Sequence, residues 1–225
     1  MDGPNSNTKR KTFYVCLEGV EGVGKTTQVN LLRKCLTSEG FTVLTTKEPG
    51  TDLVPVTMLL RNIMLDKQYE SQVPPLAREF ISQAIRCCHI ETLIKRALKQ
   101  AEYDFIIQDR GTLSGLAYAR ESGHSEERIM WLLGETCNTV QKYDLTIVLE
   151  GDVKECLNRA VKKKEFEKGD VIEEKGDAFM KRVSEDMHMY HTYTSERTEF
   201  IDVTNKDMNT VTEMLHELVL KHRNK

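Results

Sequence analysis

The chain has 225 residues, 39% hydrophobic and 30% charged, with a net charge of −3 and a pI near 6.1. That length supports one globular domain with a sizeable core, and the acidic balance excludes a broad polyanion-binding surface, so nucleic acid is not an expected partner. No apolar run reaches membrane-spanning length and residues 1–11 lack the apolar stretch of a signal peptide. A cytoplasmic protein with no membrane partner is therefore expected, with residues 1–11 disordered and 12–225 forming a single domain.

In chain order, β-branched runs at 12–18, 41–46, 104–108, 145–150 and 200–203 read as strands. Helical patterns fill 25–39, 53–65, 76–100, 112–121, 125–141, 153–163, 177–194 and 208–223. The alternation predicts an α/β fold with a five-stranded parallel sheet flanked by helices. Ligands in such folds gather at the carboxyl ends of the strands, which puts the loops after Glu18, Thr46, Gln108 and Glu150 on one rim.

The loop after the first strand, Gly19-Val20-Glu21-Gly22-Val23-Gly24-Lys25-Thr26, fits G-x-x-x-x-G-K-[ST] between a strand and a helix. Gly19, Gly22 and Gly24 keep the backbone open for amides that converge on a triphosphate. Lys25 can bridge the outer phosphates, and Thr26 can offer its hydroxyl to Mg²⁺. Gly50 in Lys47-Glu48-Pro49-Gly50 permits a sharp turn. After the third strand, Asp109 can hold Mg²⁺ through water, and Arg110 can grip a phosphoryl oxygen with its planar fork of donors.

Arg61 and Arg86 lie in helical patterns. The run 159–170 carries Arg159, Lys162, Lys163, Lys164 and Lys168 among acidic residues, which reads either as a solvated face or as a lid, about 159–175, that folds over the phosphoryl group.

Other signals are weaker. The six cysteines show no C-x-x-C spacing and read as reduced packing thiols, with Cys87-Cys88 as a redox alternative. His188 and His191 are spaced like metal ligands but have no third partner in sequence and read as surface. Trp131 belongs to the core or to a dimer face. Asn205-Lys206-Asp207 has the wrong spacing for the base-reading element of a switch GTPase, and a silent nucleotide-binding protein would have no reason to combine Lys25, Thr26, Asp109 and Arg110.

Taken together, the loop through Thr27, Lys47-Glu48-Pro49-Gly50, Arg86 with His89, Asp109-Arg110 and Ser114-Gly115-Leu116-Ala117-Tyr118 resemble the thymidylate kinase family over nearly the whole chain. The resemblance implies ATP-dependent phosphorylation of a deoxyribonucleoside 5′-monophosphate to the diphosphate with Mg²⁺, on a nucleoside monophosphate kinase fold, by a homodimer. It implies ATP contacts at Gly19, Gly22, Val23, Gly24, Lys25, Thr26 and Thr27, and metal contacts at Thr26 and Asp109. Arg110 and Arg61 would hold the acceptor phosphate, Arg86 would face the base, Glu21 would reach the sugar 3′-hydroxyl and Tyr118 would lie under the sugar. Glu48, Pro49, Ser114 and Gly115 complete the acceptor side. The transition-state cation would come from a bacterial-type lid, through Arg159, Lys163 or Lys168.

Three positions depart from the family pattern. Ser82 stands where a base-stacking phenylalanine is common, Gly111 where tyrosine or histidine follows Asp-Arg, and Ala119 where a polar residue is common. These departures predict an enlarged base pocket that takes dTMP, a bulkier or modified pyrimidine, or several deoxynucleotides. A deoxynucleoside kinase is the competing enzyme, and Arg61 with Arg110 favours an acceptor that already bears a phosphate.

Overall fold

The computed structural model describes residues 11–137, 142–164, 176–194 and 197–224. Five parallel strands, β1 (Phe13–Glu18), β2 (Val43–Lys47), β3 (Phe105–Asp109), β4 (Leu145–Glu150) and β5 (Thr198–Asp202), form one sheet in the order β2-β3-β1-β4-β5. Helices α1 (Lys25–Ser38), α2 (Pro55–Leu65), α3 (Pro75–His89), α4 (Lys95–Gln100), α5 (Thr112–Glu121), α6 (Glu126–Cys137), α7 (Val153–Lys164), α8 (Gly176–Thr194) and α9 (Met208–Arg223) make the connections. The expected fold class is the observed one. The chain leaves β1 towards β2 on one side and leaves β3 towards β4 on the other, so the crevice between the tips of β1 and β3 is the switch point where α/β folds hold ligands.

Strand parity explains the layers. Phe13, Val15 and Leu17 on β1 join Phe105 and Ile107 on β3 in a core with Leu32 and Leu36 of α1 and Leu215 and Val219 of α9. Tyr14, Cys16 and Ile106 face the other way, onto Ile94 and Ala97. Because side chains alternate along a strand, the same rule sends Asp109 towards α1 and Gln108 towards the opposite layer. All six residues of β1 and all five of β3 are buried, as strands covered on both faces should be.

Two departures from the expected elements have local causes. Phe41, expected in a strand, instead closes α1: Gly40 takes φ 89°, and the Phe41 amide donates to Leu36 O at 3.1 Å, capping the helix end. The helix expected over 76–100 contains a π turn at Ile90–Ile94 between α3 and α4. The wider turn changes the phase of the helix, so Arg86 and His89 face the site while Ile94 and Ala97 still pack under the sheet. The expected helix over 125–141 is described to Cys137. Residues 1–10 and most of the expected lid lie outside the described residues.

Candidate active site

A cleft of about 680 Å³ runs over the tips of β1 and β3, from Val203, Lys206 and Met208 after β5, past Lys25, Thr26 and Asp109, to Arg61, Ser82, Arg86 and Tyr118. The phosphate loop shapes its floor. Gly22 and Gly24 have φ of 73° and 106°, values that favour glycine. A Cβ at Gly22 would stand 1.8 Å from Cys156 O, so the loop rests directly on the first turns of α7. Lys25 is buried and its Nζ donates to Val20 O at 2.8 Å. Burial first, and then the Arg110 guanidinium, lower its pKa to about 8 despite the carboxylates of Asp109, Glu21 and Glu18. Val23 and Thr27 line the cleft beside it. Gly19 contributes its carbonyl, which accepts from Arg110 Nη1 at 3.2 Å.

Parity brings Asp109 to the phosphate loop, where its Oδ2 accepts from Thr26 Oγ1 at 2.5 Å. A hydroxyl and a carboxylate are the hard oxygen donors that Mg²⁺ takes alongside phosphates and water, so the residues present fit that ion. Among the described residues no cluster of three or more His, Cys, Asp or Glu offers an all-protein metal site. His188 pairs instead with Glu150 at 2.5 Å and stacks on Phe200 at 4.2 Å.

Arg110 adopts φ 64°, a left-handed backbone uncommon for a residue with a side chain. Its guanidinium joins the two halves of the cleft. Nη2 reaches Glu21 at 2.5 Å, Nη1 reaches Ser114 Oγ at 3.3 Å, and the group lies 5.5 Å above the Tyr118 ring. Sequence reasoning assigned Glu21 to the acceptor sugar, and the structure pairs it with Arg110.

Glu18 was read only as the end of a strand, yet it organises the start of α5 beside the cleft. Gly111 has no side chain with which to cap α5. Glu18 Oε1 accepts the amides of Gly111 at 2.9 Å and Ser114 at 3.1 Å, and Oε2 accepts from Ser114 Oγ at 2.5 Å. A buried carboxylate thus takes the N-terminal amides of α5, where the helix dipole also favours negative charge. Burial raises the Glu18 pKa, and the bonds from Ser114 offset part of that rise.

On the cleft wall beside Arg61 and Ser82, Glu48 and Arg86 pair at 2.9 Å with both side chains 5% exposed. Burial opposes the charged form of each, but the pair overcomes it: the Glu48 carboxyl is held below its ordinary range and Arg86 is raised. His89 locks Glu48 from behind, with Nδ1 at 3.2 Å from Glu48 Oε1 and Nε2 at 2.8 Å from Thr46 Oγ1. The Glu48-Pro49 peptide is cis, and Pro49 O accepts from Arg61 Nη1 at 2.7 Å. Gly115 is required by packing, since a Cβ there would stand 2.3 Å from Arg86 Nη2.

Ser82 and Ala119 line the cleft, whereas Phe80 is 50% exposed and turned away from it. Glu79, buried and bonded to Gln83 Nε2 at 2.6 Å, adds a carboxylate that sequence reasoning missed. Gly111 lines the cleft but does not enlarge it as expected. A Cβ there would stand 2.1 Å from Tyr143 Oη, so Tyr143 already fills the space.

Arg159 lines the cleft from α7, held by Glu155 O at 3.3 Å and Cys156 Sγ at 3.4 Å. Lys163 lies in the last turn of α7, and Lys168 falls outside the described residues. The Asn205-Lys206-Asp207 stretch is a helix start: Asp207 accepts the amides of Asn209 at 2.9 Å and Thr210 at 3.0 Å.

Known proteins share the sequence pattern and the fold. The sequence profile described as thymidylate kinase matches residues 17–215. A thymidylate kinase of Synechococcus sp. (strain CC9605) is 32% identical over 177 residues, covering 76% of this chain and 81% of that protein. One of Halothermothrix orenii is 31% identical over 185 residues, covering 82% and 85%. Among solved structures, a thymidylate kinase from Ehrlichia chaffeensis superposes with a TM-score of 0.69 over 92% of this chain and 98% of that one, at 23% identity, a likeness of fold. On the match over residues 17–215 and these relatives, the chain belongs to the thymidylate kinase family.

Proposed function

We propose that the cleft holds ATP and dTMP end to end and that Arg110 joins their phosphates. The chain is a phosphotransferase that converts dTMP and ATP to dTDP and ADP, as its family does. An oxygen of the acceptor phosphate attacks the γ-phosphorus of ATP, and the bond from that phosphorus to the β,γ-bridging oxygen breaks. Such transfers need little covalent help from the protein; positioning and charge stabilisation carry them.

The observation that carries the reading is the place of Arg110. Its guanidinium spans Gly19 O and Glu21 on the phosphate loop and Ser114 and Tyr118 on the acceptor wall. Amides of Gly22 to Thr27 would cradle the ATP phosphates, and Lys25 would neutralise charge at the transferred group. Thr26 and Asp109 would hold Mg²⁺, which supplies charge neutralisation at the phosphates when bound. Glu21 and Tyr118 would contact the sugar, and Arg86, fixed by Glu48, would face the base with Ser82 beside it. Arg61 would share the acceptor phosphate. Arg159, Lys163 and Lys168 are the lid cations from which the transition-state charge would be drawn.

The enzyme would act as a homodimer in the cytoplasm. Among the described residues no helix is long and apolar enough to cross a membrane. Val56, Leu59 and Ile63 on α2, Phe80 on α3 and Trp131 on α6 leave large apolar surface exposed on neighbouring helices, which a second copy would cover.

A coupled assay of ADP release with ATP, Mg²⁺ and dTMP tests the activity, with thymidine and a panel of other deoxynucleoside monophosphates as controls. Turnover that depends on dTMP and on Mg²⁺, with none on thymidine, is expected. Faster turnover with thymidine would overturn the assignment of Arg110 and Arg61 to an acceptor phosphate. Sedimentation of the wild type against Leu59→Glu should show a dimer reduced to monomer.

A further inference from the structure

We infer that Tyr143, in the segment before β4 and not among the residues lining the cleft, is the positioning residue that holds the Arg110 turn in its working shape. The inference rests on the role given to Arg110 above.

Arg110 sits at φ 64°, a conformation a residue with a side chain keeps only when its surroundings enforce it. The enforcing groups lie beneath it, in the layer to which parity sends Tyr14 and Gln108. Gln108 Nε2 donates to Arg110 O at 2.9 Å and to Tyr143 Oη at 3.2 Å. Tyr143 Oη also accepts from the Thr112 amide at 3.4 Å. Tyr14 donates to Gln108 Oε1, and its ring packs 4.8 Å from that of Tyr143.

Gln108, Tyr14 and Tyr143 are all buried, and burial holds both phenols well above the ordinary tyrosine value, so they remain hydroxyl groups. The network therefore grips the turn on both sides of Gly111, at Arg110 O and at the Thr112 amide. Sterics complete the grip, because a Cβ at Gly111 would stand 2.1 Å from Tyr143 Oη and 2.9 Å from Cys16 Sγ. Glycine at 111 and tyrosine at 143 are one solution to a single packing problem. Glu18 holds the other face of the same turn through the Gly111 amide, so the guanidinium of Arg110 is aimed from below and behind.

Tyr143→Phe removes the hydroxyl and keeps the ring. Losing a neutral hydrogen bond that aims Arg110 should raise the dTMP KM and lower kcat, together about three- to tenfold in kcat/KM, while the ATP KM stays within about twofold. Amide exchange at Thr112 should quicken by about tenfold, with β1 unchanged. In a cycle, Gly111→Ala should cost much more in the wild-type background than in a Tyr143→Ala background, where the space is open.

Unchanged Thr112 exchange in a folded Tyr143→Phe protein overturns the inference whatever the kinetics. So do unchanged dTMP kinetics, a rise of the same size in both KM values, or equal damage from Gly111→Ala in both backgrounds. A wild type that does not phosphorylate dTMP would instead overturn the proposed activity, and the exchange measurement would still decide the role of Tyr143.

Discussion

The strand-tip centre and the helical rim of the cleft are built in opposite ways. At the tips of β1 and β3, Glu18, Lys25 and Asp109 are buried, and Glu18 takes three hydrogen bonds from the turn it serves. On the rim, Arg61, Ser82 and Arg159 are partly or largely exposed, and among the described residues Arg159 is held by its own helix. The centre is held by a frame of buried hydrogen bonds, the preorganisation that electrostatic catalysis calls for, whereas the rim side chains are less enclosed. Glu48 and Arg86 are the exception, a rim pair made as rigid as the centre by burial and by His89.

Breaking that exception should cost most. Glu48→Ala leaves Arg86 charged and buried without its carboxylate partner, and should destabilise the fold by about 3–5 kcal/mol in urea unfolding. Lys25→Met tests the centre next: turnover should fall by about 10²–10³-fold, while thermal stability does not drop, because the ammonium it removes is destabilised by burial.

The same lysine predicts a pH effect. Its folded pKa is about 8 against an ordinary 10.5. Phosphates favour the charged form, so the ATP KM should be lowest below pH 8 and rise above it, by up to about tenfold per unit. Without nucleotide the sign reverses. The unfolded chain keeps that proton up to pH 10.5, so stability should rise between pH 8 and 10.5, and Lys25→Met should abolish both trends. Arg159→Ala, on the rim, should lower kcat by no more than about tenfold with stability unchanged, because Lys163 and Lys168 remain to supply the transition-state charge. A larger loss would mean that α7 belongs with the preorganised centre.

Much of this contrast could be read from the residues in order. The phosphate loop was legible because its requirements are local: open backbone, a lysine and a hydroxyl beside a helix start. Asp109 and Arg110 were legible from an apolar strand ending in charge. Glu18 and Tyr143 were not. Each acts on residues roughly a hundred or thirty positions away, at Ser114 and at Thr112, and neither has a short-range pattern. The expectation that Gly111 widens the pocket failed for the same reason, since the side chain that fills the space enters from another segment.

Alternation of apolar and amphipathic runs was enough to determine the α/β class, the strands nearly to their ends and the chemistry of the phosphate loop, because backbone geometry and burial act over a few residues at a time. Only the tertiary structure decided which carboxylate caps α5, how Glu21 and Arg110 pair, and what aims the Asp109-Arg110 turn. Those outcomes depend on strand order and register, which bring Leu17 opposite Asp109 and set β1 between β3 and β4. Side-chain parity then determines which buried polar groups meet in a layer where each must find a partner.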